Sequence, residues 1–308
     1  MLELGAQFLR GARKNLEQAI FISDGYLGMS GAAELYLNRI ARSIAPARMT
    51  GNWGSELLRG VRAFKYLVPK GSFLRPDLMA KLKESEEGFS RKSTLNALSF
   101  TLFHQAPGQG YGRYAIERSQ VVMRSPFLDN DIVKWLYHAP PFSRRAGKCS
   151  SAVIERQRPE LRGIPTDQGL LGPHDGPVRF ARRMYRRIIS KAEYWTGDGA
   201  PHWFAGLTAS RPASLIERTF RGRHTFQHFR PWFREELAEL VRETLLNGNQ
   251  TDLACWFDMD RVKRMVNDHL EGRGNYTDEI DKLLTIALAT RTLLKACTSP
   301  LPVSFSRE

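Results

Sequence analysis

The sequence predicts an α/β chain that is predominantly helical, with few short strands. Apolar residues recur at helical spacing through most of its length, while only residues 19–23 and 47–50 read as strands. After the second of these, the glycine-bearing stretch 50–60 runs into Leu57, Leu58, Val61 and Phe64 at helical spacing. The local order is therefore strand, turn, helix. Such a turn offers backbone N–H groups and a helix N-terminus to an anion such as phosphate.

Taken in order, Ala19-Ile20-Phe21-Ile22-Ser23 reads as a strand, and Ser30 as the cap of a helix whose inner face is Leu35, Tyr36, Ile40 and Ile44. Pro46 stops that helix, and Ala47-Arg48-Met49 reads as a buried strand. Residues 91–104 carry Leu95, Leu98, Leu102 and Phe103 on one helix side. Gly108, Gly110 and Gly112 follow a helix and Pro107 rather than a strand, which argues for a loop and against a dinucleotide fingerprint. Asp129 or Asn130 can cap the helix of Ile132-Val133 and Leu136-Tyr137. Glycine, proline and polar residues crowd together between Gly163 and Pro177, which reads as a long loop. Asp258 opens a helix through Val262, Met265, Val266, His269 and Leu270 that Gly272 closes. Thr277, with Asp278 and Glu279 in its first turn, opens a last helix through Leu283, Leu284, Leu288, Leu293 and Leu294. The picture is of two helical layers around a small remnant of sheet.

The chain has 308 residues, 42% hydrophobic and 25% charged, the balance of a globular protein with a core large enough to need no disulfides. Its net charge of +14 favours anionic partners. Cys149, Cys255 and Cys297 are odd in number and far apart, which argues against a disulfide framework or zinc site and points to a reducing, cytoplasmic setting. No apolar run is long enough for a transmembrane helix, and the N-terminus has no signal pattern. His224 and His228 share i, i+4 spacing, but with no third ligand nearby they read as packing or surface residues, and the metal-ligand set is unknown. Arg179, Arg182, Arg183, Arg186 and Arg187, with Lys191 close behind, share one side of a basic amphipathic helix whose other side is Phe180, Met184, Tyr185, Ile188 and Ile189. A packed surface helix with a charged outer face is the plainer reading, and a helix lying against phosphate backbone or an anionic membrane the other.

Three motifs carry a resemblance. Thr50-Gly51-Asn52-Trp53-Gly54-Ser55-Glu56, closed by Gly60, resembles the S-G-E-G-(S/G)-D-E-x-x-x-G loop of the asparagine synthetase family. Arg124-Ser125-Pro126-Phe127-Leu128-Asp129 is similar to its R-x-P-F-L-D. Gly147-Lys148, then Val153-Ile154-Glu155-Arg156 and Pro159-Glu160-Leu161, resembles its G-K, I-L-R, L-P succession. Their order and spacing agree over roughly residues 20–172, which is more specific than any one of them.

The resemblance implies the carboxy-terminal part of a doubly wound nucleotide-binding domain over 1–172, with a helical extension over 173–308. It implies an ATP-dependent, Mg²⁺-assisted adenylation of a small carboxylate, aspartate by default, followed by amide formation. Asn52 and Glu56 then stand at the catalytic positions, and Thr50, Gly51, Gly54, Ser55 and Lys148 at the nucleotide and pyrophosphate positions. Arg124, Asp129, Asp167 and Gln168 are substrate-facing or structural; a buried ion pair for Arg124 and a helix cap for Asp129 are the plainer roles. Several family groups are replaced: Asn52 stands for the first loop acid, Ser55 for the Mg²⁺-binding Asp, and Val122 for the acid before R-x-P-F-L-D. No lysine falls in residues 164–169, where the family lysine is expected, and the S-G-G-x-D-S pyrophosphate loop is missing from the sequence; Gly28-Met29-Ser30-Gly31-Ala32-Ala33 is only superficially like it. Residue 2 is Leu2, not the family's N-terminal cysteine. The expectation is a truncated or split form, inactive alone and completed by a second polypeptide carrying the pyrophosphate loop and glutaminase. The alternative is a non-catalytic basic module that binds nucleic acid, membrane or glycan.

Overall fold

The first apolar residues of the chain lie on a helical period. In the computed structural model, which describes residues 4–61, 73–140, 148–166, 169–170, 177–208, 222, 225–247 and 251–294, α1 (Ala6–Arg10) and α2 (Ala12–Ile22) lead into α3 (Met29–Ile44). Residues 19–23, read as a strand, complete α2 instead. Ala12, Leu16, Ala19 and Ile20 are buried while Phe21 is exposed, and their i, i+4, i+7, i+8 spacing is one helix stripe. A short apolar run by itself does not separate a buried helix from a strand. The cap of α3 also differs from the Ser30 reading. Gly28 holds the capping position, and the Met29 N–H donates to the Asp281 carboxylate at 2.8 Å.

The chain continues through β1 (Ala47–Met49), α4 (Gly54–Arg59), α5 (Pro76–Ser93) and α6 (Ala97–Phe100), the last widening into a π-helical segment, Thr101–Gln109. Residues 91–104 are therefore not one helix: the Asn96 side chain accepts from the Leu98 and Ser99 N–H groups and starts a new one. Leu98 is buried, but Leu95 and Phe103 face solvent. Next come α7 (Tyr111–Arg118), β2 (Val122–Arg124), a 3-10 turn (Pro126–Leu128), α8 (Asn130–His138), α9 (Lys148–Gln157) and a second 3-10 turn (Pro159–Gly163). Gly108 lies in the π segment, Gly110 caps α7 and Gly112 is inside it, so the alternating glycines belong to helical backbone rather than a loop. The stretch after Gly163, read as loop, holds a small antiparallel pair, β3 (Pro165–Thr166) and β4 (Gly169–Leu170).

The rest is helical: α10 (Pro177–Thr196), α11 (His202–Thr208), α12 (Phe229–Arg234), α13 (Ala238–Val241), α14 (Thr251–Ala254), α15 (Met259–Leu270) and α16 (Thr277–Ala289). One core joins both ends of the chain. Phe8, Leu16 and Leu35 meet Ile116 from α7, Phe233 from α12, Val266 from α15 and Leu284 from α16. A smaller cluster, Leu57, Leu98 and Leu136, ties α4, α6 and α8 together beside β1 and β2. Those strands pair in parallel, yet the expected burial between helical layers is not found: Met49 is 78% and Val122 55% exposed. Parallel sheets are ordinarily covered on both faces. Among the described residues no helix is long and apolar enough to cross a membrane.

Candidate functional site

Two of the three motifs leave the same end of one strand pair. Ala47, Arg48 and Met49 stand opposite Val122, Met123 and Arg124, and the Thr50 N–H extends the ladder by donating to the Arg124 carbonyl at 2.9 Å. The loops after β1 and β2 therefore start side by side, although 74 positions separate Thr50 from Arg124 (124 minus 50). The crevice beyond the carboxyl ends of parallel strands is where open α/β sheets bind ligands.

The loop is built by short-range hydrogen bonds. Thr50 is buried, and its Oγ1 accepts the Asn52 N–H at 3.2 Å. The Gly54 N–H donates to the Gly51 carbonyl at 3.1 Å. The Ser125 hydroxyl donates to the Asn52 carbonyl at 3.1 Å and joins the two motifs directly. Trp53 takes a left-handed backbone, φ 69°, at the start of α4. The two glycines do different work. A Cβ on Gly51 meets nothing within 4 Å, whereas one on Gly54 falls 2.9 Å from the Phe127 ring of the second motif. The helix expected to run through Val61 and Phe64 ends at Arg59, with Gly60 left-handed at φ 63°; Phe64 lies outside the described residues. At six residues α4 is too short to make its N-terminus an anion site by its dipole alone.

A cavity of about 350 Å³ opens beside the loop, lined by Asn52, Trp53 and Glu56 together with Tyr26, Leu27, Gln105, Gln109, Gly110, Arg113 and Tyr114. The Trp53 ring leans on Tyr114, centroids 6.2 Å apart. The closeness depends on Gly110, whose absent Cβ would lie 2.7 Å from Trp53 Cζ2. The Trp53 Nε1, Gln109 Oε1 and Tyr114 hydroxyl are buried without a hydrogen-bond partner. Behind them Arg113 pairs with Glu34 at 2.8 Å. Burial raises the Glu34 carboxyl above its ordinary range, against the pull of Arg113. Burial also raises the Tyr114 phenol, with Glu117 and Glu56 adding to it, so the phenol keeps its proton at neutral pH. The lining itself carries one carboxylate, Glu56, and one guanidinium, Arg113.

The remaining site residues are scattered. Ser55 and Arg124 are exposed. The Asp129 carboxylate accepts the Asp131 N–H at 3.0 Å and caps α8. Lys148 begins α9, but its side chain, with Gly147, Asp167 and Gln168, lies outside the described residues, as does His224. For Mg²⁺ the loop supplies one carboxylate, Glu56, and no group of three metal-binding side chains occurs among the described residues. That donor set does not fit an ion held by the protein alone. Sequence reading missed Tyr26, Gln105, Gln109, Arg113 and Tyr114. The one available signal was the Gly-x-Gly-x-Gly run at 108–112, which permits close approach to Tyr26 and Trp53. Comparisons of the chain with protein-family models, with curated proteins and with solved structures find no match.

Proposed function

We propose that this chain is the carboxy-terminal part of an asparagine-synthetase-like domain, which activates a small carboxylate with ATP and forms an amide. The observation carrying the reading is the meeting of the Thr50–Glu56 loop and the Arg124–Asp129 segment at one end of a parallel strand pair, with Phe127 seated on Gly54. In this reading the open backbone at Gly51 and the exposed Arg124 face the phosphates. The cavity at Asn52 and Glu56, with its one carboxylate and its aromatic walls, suits the amine end of the reaction. Asn52 orients by hydrogen bonds and takes no proton, leaving Glu56 as the ionisable loop group. Phosphate charge is met by backbone donors and cations, and Mg²⁺ accompanies the triphosphate rather than resting on a protein site.

The pyrophosphate-gripping part comes from another polypeptide or further sequence. The β1–β2 pair supports this, because the face carrying Ala47, Met49, Val122 and Arg124 is exposed and an exposed face of a parallel sheet is a surface to be covered. The test is ATP–pyrophosphate exchange. Residues 1–308 alone, with aspartate, are expected to show none. Addition of a polypeptide bearing the missing loop restores exchange, and Glu56→Gln then leaves exchange in place but lowers amide formation from ammonia about 100-fold or more, since the amine attacks only after adenylation. Strong exchange by the chain alone overturns the need for completion. Restored amide formation that Glu56→Gln leaves unchanged overturns the site assignment.

A further inference from the structure

The helix α10 is anchored near its C-terminal end, and its described residues 184–188 are exposed on every side. Its anchor is Glu193, which is buried and whose carboxylate accepts the Gly222 N–H at 2.7 Å and the Thr225 N–H and hydroxyl, both at 3.0 Å. Thr196, also buried, shares that inner side. On the outer side Met184, Ile188, Lys191 and Trp195 fall at i, i+4, i+7 and i+11, which is a single stripe along a helix. Met184 is 38%, Ile188 58% and Trp195 60% exposed, and Tyr185 beside them is 58% exposed. Arg187 flanks the stripe and is exposed, as is Lys191. Glu193, the only acidic residue of α10, is turned inward as the anchor.

A surface helix normally buries its apolar side and shows its charges. Here Met184, Tyr185, Ile188, Tyr194 and Trp195 face water with cations among them, while Ile189 is half-buried. An apolar stripe alone would fit any nonpolar partner. Cations within it, no outward carboxylate, and a net charge of +14 select a partner that is apolar below and negative on top. A nucleic acid would use the cations but has no bed for Met184, Ile188 and Trp195. We propose that α10 lies along an anionic lipid surface, with Met184, Ile188 and Trp195 entering the headgroup boundary and Arg187 and Lys191 pairing with lipid phosphates. This stands independently of the amide-forming reading.

The test is co-sedimentation of the full chain with vesicles of phosphatidylcholine, alone or with about a third phosphatidylserine. Binding to the anionic vesicles, weakened by salt, is expected, with little to the neutral ones. Ile188→Ser combined with Trp195→Ser lowers it about tenfold or more, and Arg187→Glu combined with Lys191→Glu does the same. All four positions are exposed, and circular dichroism verifies that each variant folds. Lack of binding to anionic vesicles overturns the proposal. So does binding that charge reversal abolishes and the serine pair leaves intact, since that is adsorption without insertion. Retention on duplex DNA or an acidic protein in preference to vesicles overturns it as well.

Discussion

Trp53 sits where an asparagine or glycine is the usual occupant, in left-handed backbone at the entry to α4. Such a conformation costs on the order of 1 kcal/mol or more and persists where neighbours hold it. Here the neighbours are Tyr114 and the bare Cα of Gly110. Gly54 is constrained from outside, by Phe127. Gly54→Ala is expected to destabilise the protein by about 1–3 kcal/mol, because the ring must move out of a packed position. Gly51→Ala, into open space, is expected to stay within about 0.5 kcal/mol. Thermal unfolding of the two variants checks this, and equal melting temperatures would contradict the packing role. The loop motif marks both glycines alike. Only the contact with a segment far along the chain separates them, and sequence spacing holds no record of that contact.

Helix boundaries were legible where their chemistry is local. Asp258 caps α15, Asp129 caps α8, and Gly272 at φ 77° follows the end of α15. They were illegible where the cap comes from afar. For α3 it comes from Asp281, in α16, and Gly28 is small because Thr285 and Asp281 stand over it. Burial raises the Asp281 carboxyl to about 6, with Asp278 pushing the same way and the Met29 N–H and Lys282 opposing. In the unfolded chain this group titrates near 4. The folded state thus holds the proton more tightly, so this group's contribution is fully present below about 4 and is lost as pH rises to about 6, by on the order of 3 kcal/mol. Asp281→Asn keeps an acceptor for Met29 and removes the charge. It is expected to flatten that pH slope and to match or exceed the parent in stability at neutral pH. Asp281→Ala is expected to lose about 0.5–2 kcal/mol with the cap at pH 4, where the parent carboxyl is largely protonated. Chemical denaturation across pH reads both.

At the scale of the molecule, the core is closed by its two ends. Leu16 and Leu35 pack in the same cluster as Val266 and Leu284, while the candidate site rests on the small cluster of Leu57, Leu98 and Leu136. Leu284→Ala is expected to cost about 2–5 kcal/mol and to lower the single unfolding midpoint. Leu136→Ala is expected to cost less, since its neighbour Trp135 is 76% exposed and the site can relax toward solvent. Denaturant titration followed by circular dichroism compares them, and an equal loss would refute the division. The sequence by itself determined the predominance of helix, the strand–turn–helix at residues 47–59, the locally capped helices and the excess of positive charge, because periodicity, capping and composition act over a few residues or over none. Tertiary structure decided the rest: that residues 19–23 finish a helix, that strands at 47 and 122 pair and stay uncovered, that Tyr114 and Trp53 share a cavity, and that α10 turns its apolar stripe outward. Each of these depends on which distant surface is available to bury an apolar face or satisfy a backbone group, and that is settled only when the whole chain has packed.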